Sequence, residues 1–514
     1  MKTIQHFLLV LVLISSFQMK AQVDDNHSNA TQSKHSLIAF GNYDAFFDTT
    51  APQLTHSAVK PSYMNEIPVQ GMSFFQKLTR TSETASNRTT HVFPVVNQIA
   101  AHGFTEDEST SFRSHVGIGG VLSWGEKWSL RGTITGGYYQ RDSAVNLRNG
   151  VIPNTYFWNG TVDERFEVDP RFRLSYSPNK FFNLQVGIDH NYIGDGERSI
   201  LLSDYSASHP FFKLRSSLWK FEFVNVFQFF RENVNDEFLP KYGSTHYLSY
   251  QVNKRFQFGV FESVTFQPSD TMLLRGYEWE YLNPFLFYRP TEYSIGSQDR
   301  LVLGTYFNYQ LDNLLMYGQF LIDDFVLNEL LGRTRWWSNK YAGQIGFKGK
   351  RKAQNTYWNY FAEVNFARPF TYTHLGPETN YANQGISLAH PLGANFAELY
   401  SGISVAFKND LKLAFNYMFA QQGGFADDGE NYGTDIYLSY ANRPFEYGYF
   451  IGGHGQLNRY RYSLKISYPI VKKYAIEAFV QPIFEQQRGV INANHIMLFT
   501  GIRTNLWNER SMSF

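Results

Sequence analysis

The chain has 514 residues, with 46 Lys and Arg against 45 Asp and Glu, and no cysteine. A net charge of +1 gives no electrostatic reason for a nucleic-acid partner, and the missing cysteines exclude disulfides, thiol nucleophiles, cysteine-ligated zinc and cysteine lipidation. With 47 Phe, 34 Tyr and 9 Trp the chain is 18% aromatic; at a mean hydropathy of −0.35 that apolar content is hidden by alternation rather than gathered in long runs.

Residues 1–21 read as a secretory signal peptide: Lys2 precedes an apolar core from Phe7 to Phe17 that is too short to span a bilayer, and Ala21 offers a cleavage site. Residues 22–110 read as a polar N-terminal periplasmic flank or plug. Within it "VDDNHSNATQSKHS" is polar, "NEIPVQGMSFFQKLTR" (65–80) has the pattern of a short amphipathic helix, and "HVFPVVNQIA" is a candidate first strand.

From residue 111 to 514 the period changes to two. In "VGIGGVLSWGEKWSLRGTITGG" (116–137), Val116, Ile118, Leu122 and Trp124 share one face before a Gly-Glu-Lys turn. Trp128, Leu130 and Ile134 share it afterwards, with Arg131, Thr133 and Thr135 opposite. "TYWNYFAEVNF" sets Trp358, Tyr360 and Val364 against Asn359, Glu363 and Asn365. "RYRYSLKISYPI" sets Tyr460, Tyr462, Leu464 and Ile466 against Arg459, Arg461, Ser463 and Lys465, and the next strand brings Glu477 about opposite Lys465. In "RFQFGVFESVTF", Glu262 shares the parity of Phe256, Phe258 and Val260, so either a bulge shifts the register or Glu262 lies above the bilayer.

A secreted β-sandwich or propeller is the alternative to a membrane barrel, and the connections decide between them. Short turns recur at 125–127, 177–180, 219–220, 253–255, 311–313, 408–410, 442–444 and 471–473, and long segments lie at 141–163, 267–299, 324–339 and 368–395. Short on one side and long on the other is the asymmetry of an antiparallel transmembrane β-barrel with periplasmic turns and extracellular loops, here of about 18–20 strands. Trp124 and Trp128 then belong to the periplasmic aromatic girdle. At about 10 residues per crossing, more than half of the mature chain lies outside the apolar band.

No G-x-S-x-G, H-E-x-x-H, Walker A or EF-hand pattern occurs, no His spacing suits a metal, and neither catalysis nor a cofactor is expected. Four polar loop clusters stand out. "HNYIGDGERSILLSD" holds Asp195, Glu197 and Arg198. "YEWEYLNPFLFYRPTEYSIGS" holds Glu280, Asn283, Arg289 and Glu292. "DDFVLNELLGRTRWWSNK" holds Asp323, Asp324, Trp336 and Trp337. "FARPFTYTHLGPETNYANQGISLAHPLGANFAE" holds Arg368, His390, Asn395 and Glu398. Aromatics beside Arg, Asn and carboxylates suit sugar rings, which stack an apolar face and hydrogen-bond their hydroxyls. The same residues also suit an Arg–carboxylate network that fixes loops in a barrel mouth.

"NLQVGIDHNYIGDGERSILLSD", "YLNPFLFYRPTEYSIGS", "YGQFLIDDF", "WWSNKYAGQIGFK" and "LAHPLGANFAE" resemble the RemB-type gliding motility proteins of Bacteroidota, which are grouped with the Wzi family of capsule assembly proteins. The Asn-Pro-x-x-Phe-Tyr-Arg-Pro stretch is fairly specific, and the resemblance runs from about residue 60 to the C-terminus. It implies a surface-facing, largely occluded outer-membrane barrel that holds surface polysaccharide or serves gliding. The expected partners are outer-membrane lipid and lipopolysaccharide, surface polysaccharide, and gliding or envelope proteins, around a monomer. A channel for small solutes is the rival reading.

Overall fold

The computed structural model describes residues 59–60, 88–104, 109–124, 127–140, 157–160, 164–179, 181–234, 237–268, 276–283, 299–354, 356–426 and 428–504. The expected signal peptide, most of the N-terminal flank, Arg289 and Glu292 lie outside the described residues.

Eighteen antiparallel strands close into one barrel. They are β1 (Arg88–Gly103), β2 (Ser109–Trp124), β3 (Trp128–Gln140), β4 (Glu164–Tyr176), β5 (Phe182–Asp189), β6 (His209–Leu218), β7 (Phe221–Val234), β8 (Glu237–Gln251) and β9 (Phe256–Phe266). After them come β10 (Arg300–Gln310), β11 (Leu314–Asp324), β12 (Lys340–Ala353), β13 (Thr356–Ala367), β14 (Phe396–Phe407), β15 (Lys412–Gln422), β16 (Leu457–Val471), β17 (Ile476–Gly489) and β18 (Ala493–Thr504). Each strand pairs with the next, and β1 closes the ring on β18 from Asn97↔Arg503 to Gly103↔Met497. Closure leaves no unpaired edge, the condition for a sheet to stand in hydrocarbon.

The outward face is apolar around the ring. Val116 and Ile345 are each 59% exposed, and Ile134, Phe166, Val186 and Ile403 are exposed with them. So continuous an apolar surface is unstable in water and fits a bilayer. Trp128 stacks on Tyr176 with ring centroids 4.2 Å apart, and Trp124 stands opposite Trp128, both at the end of the barrel that carries the tight turns. At that end the strands are joined by eight connections of two to five residues, and at the other the strand ends are those joined by 141–163, 190–208, 267–299, 325–339, 368–395 and 423–456.

Two expectations change. The barrel begins at Arg88, not at residue 111, because the free edge of β18 needs β1 to close the ring. Pro94 is tolerated because it lies beyond the stretch of β1 paired with β18. The tight turn expected at 442–444 does not join two barrel strands; it lies inside the segment 423–456. Gly424, Gly433, Gly448, Gly452 and Gly455 all take positive φ there, which breaks the extended backbone that strands flanking a turn at 442–444 would need. The connection 190–208 takes in the loop cluster expected at 190–204. It contains the Asp195 cluster, and it folds inward.

Glu262 sits in no bulge. The registers of β9 with β8 and β10 run unbroken through Glu262, pairing it with His246 and Leu303, so its side chain points outward with Phe258 and Val260. It is nevertheless only 4% exposed, with His246 Nδ1 3.8 Å from its carboxylate. Further up the same wall, Tyr281 packs on Val264, Phe266 and Leu301, and Ser244 Oγ donates to Tyr281 O at 2.9 Å. Residues 276–283 therefore lie against the outer wall of the barrel and cover it.

The main apolar core is inside the ring. Ile193, Ile200, Leu201 and Leu202 of the 190–208 connection and Leu388, Ala389 and Leu392 of the 368–395 connection pack against Phe211, Val224, Val226, Phe230, Tyr247, Phe261, Val302 and Tyr306 of the wall. At about 1.5–3 kcal/mol per large apolar side chain, this burial explains why the loops turn inward instead of standing in solvent.

Candidate functional site

A loop buried inside a barrel must satisfy its backbone without water. For 190–208 the inward polar side chains of β10–β13 do so. Gln319 Oε1 accepts from Ile200 N (2.9 Å) and its Nε2 donates to Ile193 O (3.0 Å), while Lys348 Nζ donates to Asp195 O (2.7 Å). Glu363 accepts from the backbone N–H groups of Glu197 (2.8 Å) and Arg198 (3.1 Å) and from Tyr317 Oη (2.9 Å). The Asp195 carboxylate accepts from Tyr306 Oη and from Asn308 Nδ2 (3.0 Å).

The Arg198 guanidinium pairs with Glu398 and lies 4.4 Å from the Tyr400 ring centroid. Glu398 also accepts from Asn365 Nδ2 (3.0 Å) and meets His390 Nε2 at 2.9 Å. Leu392 N donates to His390 Nδ1 at 3.2 Å, so the proton of a neutral ring is assigned to Nε2, donating to Glu398.

Three further loops, 325–339, 368–395 and 423–456, close over this layer. Tyr372 Oη donates to Ile200 O (2.8 Å), Tyr381 Oη to Leu201 O (2.9 Å) and Asn383 Nδ2 to Ala207 O (3.0 Å). Asp323 pairs with Arg300 and accepts from Tyr372 N at 3.0 Å. Asp324 is exposed and accepts from Phe325 N (2.9 Å) and Ser338 Oγ. Arg368 donates to Trp336 O (3.1 Å) and Tyr449 O (3.3 Å), and Asn395 holds Thr434 Oγ1 and Gly452 N, both at 3.0 Å. His374 Nδ1 lies 2.6 Å from Thr379 Oγ1; burial, with Arg300 and Lys340 nearby, pushes its pKa down to about 3.

The structure thus brings Asp195, Glu197, Arg198, His390 and Glu398 into one internal layer, with Asp323, Arg368 and Asn395 bracing the loops above it. Glu280 and Asn283 go elsewhere, to the segment on the outer wall. Trp337 is buried, with Nε1 donating to Glu446 at 2.8 Å and Arg443 4.0 Å from its ring centroid; Trp336 is half-buried beside it.

The aromatic surface turned to solvent comes from 423–456, which sequence reasoning missed. Phe445, Tyr447 and Phe450 are 50%, 52% and 45% exposed. Arg335 Cζ lies 5.0 Å from the Phe450 ring centroid, Arg443 pairs with exposed Glu446, and Tyr432 stacks on His454 at 4.4 Å. Arg333, Arg335 and His454 hold positive φ, a backbone cost of about 1–3 kcal/mol each that the surrounding packing bears. The available signal was "NRPFEYGYF", whose aromatics interleave with Gly, Arg and Glu.

The remaining wall, β2–β6 with β16–β18, is charged. Glu167 meets Arg113 (3.2 Å), Arg165 (2.6 Å) and His115 (3.0 Å), Asp169 meets Arg171, and Asp189 meets Arg173 (3.2 Å). Glu477 meets Lys412 (3.3 Å), Lys465 (3.3 Å) and Arg503 (2.9 Å), so the expected Lys465–Glu477 pair is present.

No family model matches the chain and no curated protein sequence matches it. Among solved structures it is similar to Wzi of Escherichia coli, an outer-membrane protein involved in group 1 capsule assembly and described as a carbohydrate-binding β-barrel. The TM-score is 0.55 at 12% identity, over 95% of this chain and 99% of that one. The Acinetobacter baumannii protein OccAB2 matches at a TM-score of 0.45 and 10% identity, over 80% of this chain and 97% of that one. Pseudomonas aeruginosa OprD matches at 0.40 and 8%, over 80% and 94%. The fold is that of an outer-membrane barrel.

Proposed function

We propose that this protein is an exported, monomeric outer-membrane barrel that holds surface polysaccharide, capsule or slime, at the cell by binding it without turnover. The observation that carries the reading is the solvent-facing group Phe445, Tyr447 and Phe450, set beside Arg335, Arg443 and Glu446 above loops that fill much of the lumen. Aromatic faces stack against the C–H faces of sugar rings, and guanidinium and carboxylate groups hydrogen-bond hydroxyls. Wzi, a carbohydrate-binding barrel engaged in capsule assembly, supports the reading through a shared architecture. The RemB-type resemblance adds gliding as the process that attached polysaccharide serves.

The test is polysaccharide retained on washed cells against that shed into the medium, in a deletion strain complemented with the intact gene or with Phe445→Ala/Tyr447→Ala/Phe450→Ala. Retention restored by the intact gene and lost in the triple variant is expected. Normal retention in the deletion strain, with colony spreading lost, would move the protein to the gliding machinery. The channel reading draws on the charged wall of the lumen; steady single-channel conductance of the intact protein in planar bilayers would favour it.

A further inference from the structure

Arg459 and Arg461 stand two residues apart on β16, so both side chains enter the lumen from one wall, about 6.6 Å apart at Cα. Both are buried. The nearest carboxylate, Glu485, is in register with Arg461 on β17, but its oxygen lies 3.6 Å from Arg461 Nε, too far for a hydrogen bond. Its other oxygen accepts from Gln487 Nε2 at 3.1 Å. Arg459 Nη1 reaches Gln422 Oε1 at 3.4 Å, and its Cζ is 6.0 Å from the centroid of half-buried Phe425. Nε of Arg459 and both Nε and Nη2 of Arg461 meet no acceptor among the described residues.

That arrangement is expensive. A buried guanidinium with unsatisfied N–H groups loses its hydration and gains no compensating bond. The contrast with Glu477 is direct: there three cations converge on one carboxylate, each within 3.3 Å. At Arg459 and Arg461 the cations outnumber the local carboxylate and three N–H vectors remain open. The pair lies two and four residues below the loop end of β16, beneath the segment that carries the exposed aromatics, and the Arg461 side chain keeps 10% exposure. An anion arriving from the mouth meets Arg461, which carries that exposure, before the more deeply buried Arg459.

We propose that Arg459 and Arg461 form a subsite for the carboxylate of an acidic sugar, so that the polysaccharide held at the mouth is a uronic-acid-bearing chain. This rests on the surface-polysaccharide reading and narrows its ligand. A carboxylate matches the guanidinium fork through two parallel charge-assisted hydrogen bonds, a geometry that a neutral hydroxyl does not offer.

The experiment titrates the purified full chain in detergent micelles with hexagalacturonate and, separately, with maltohexaose, by calorimetry. Hexagalacturonate is expected to bind, and Arg459→Gln/Arg461→Gln to weaken it about tenfold while leaving maltohexaose unchanged. Glu485→Gln, which removes the competing carboxylate and keeps its shape, is expected to tighten hexagalacturonate about threefold, a gain that misfolding cannot imitate. Equal affinity for the two hexasaccharides, or hexagalacturonate binding indifferent to all three substitutions, overturns the subsite and leaves the polysaccharide reading standing. Binding of neither sugar, together with normal retention in the deletion strain, overturns the polysaccharide reading and the subsite with it.

Discussion

The two halves of the lumen are built from the same alternating strands and hold opposite contents. On β7–β10 the inward positions include Val224, Val226, Phe230, Tyr247, Phe261, Val302 and Tyr306, and loops dock on them. On β2–β4 and β16–β18 they include Arg113, Arg131, Arg165, Arg171, Arg173, Arg459, Arg461 and Arg503. The lipid-facing surface has no such freedom, since hydrocarbon demands apolar side chains wherever it meets the wall, and the outward Glu262 is buried. The inward face is therefore where this barrel distinguishes a wall that packs its own loops through apolar contacts from a wall that presents charge and meets the 190–208 loop near its ends, where Arg173 Nη2 donates to His190 O (2.9 Å) and Ser208 Oγ to Asp169 (3.2 Å).

The largest way to break the contrast is to strip the filled half of its central carboxylate. Glu398 holds Arg198, His390 and Asn365 at once. Glu398→Ala leaves a buried guanidinium without its partner, at a cost of about 3–5 kcal/mol, which falls on loop docking rather than on the strand ladder. Amides of 190–208 should lose hydrogen-exchange protection and planar bilayers should show new conductance, with the barrel still intact by heat-modified gel mobility. Unchanged protection would mean that apolar packing alone holds the loop.

The apolar share is measured next. Leu201 is fully buried, and Leu201→Ala should cost about 2–5 kcal/mol through its cavity, read by the same exchange. A methyl added at Gly304, on β10, would sit 2.5 Å from Leu201 Cδ2. Gly304→Ala should therefore loosen the loop by about 1–3 kcal/mol, and by less when Leu201 is already Ala. Additive effects would show that the two do not share one contact.

How much of this was legible in the sequence follows from what fixes each part. Strand parity, most of the tight turns, the Lys465–Glu477 pair and the placement of Trp124 opposite Trp128 beside one such turn are local consequences of period two, and they read directly. The inward fold of 190–208 did not, because a loop containing Ile200, Leu201 and Leu202 beside Asp195 and Arg198 has the same composition whether it meets sugar or the barrel wall. Only the third dimension shows that Glu363 and Glu398, regular inward positions on two strands, are waiting for it. The exposed aromatics at 445–450 were hidden for the opposite reason: the turn read at 442–444 implied a strand after it, and the glycine conformations that prevent one are not visible in composition.

Acid probes the filled half more gently. His374 has a pKa of about 3 in the folded protein against an ordinary value of about 6.5. Between those values an undocked loop takes a proton that the docked loop refuses, so docking is fully supported above pH 6.5 and weakens as pH falls toward 3. Exchange in 368–395 should rise across that window, and His374→Asn should flatten the dependence.

The smallest expected effect lies in the charged half. Glu477 is shared by Lys412, Lys465 and Arg503, so Lys465→Met leaves the carboxylate with two cations and strands no charge. A loss of about 1 kcal/mol or less in the unfolding free energy of the purified barrel is expected, with 190–208 exchanging as before. If Lys465→Met instead loosened the loop as much as Glu398→Ala, the charges around Glu477 and on β16 would be bracing the plug as well. Those cations would then be committed to the fold, and the contrast that leaves Arg459 and Arg461 open to a ligand would fail.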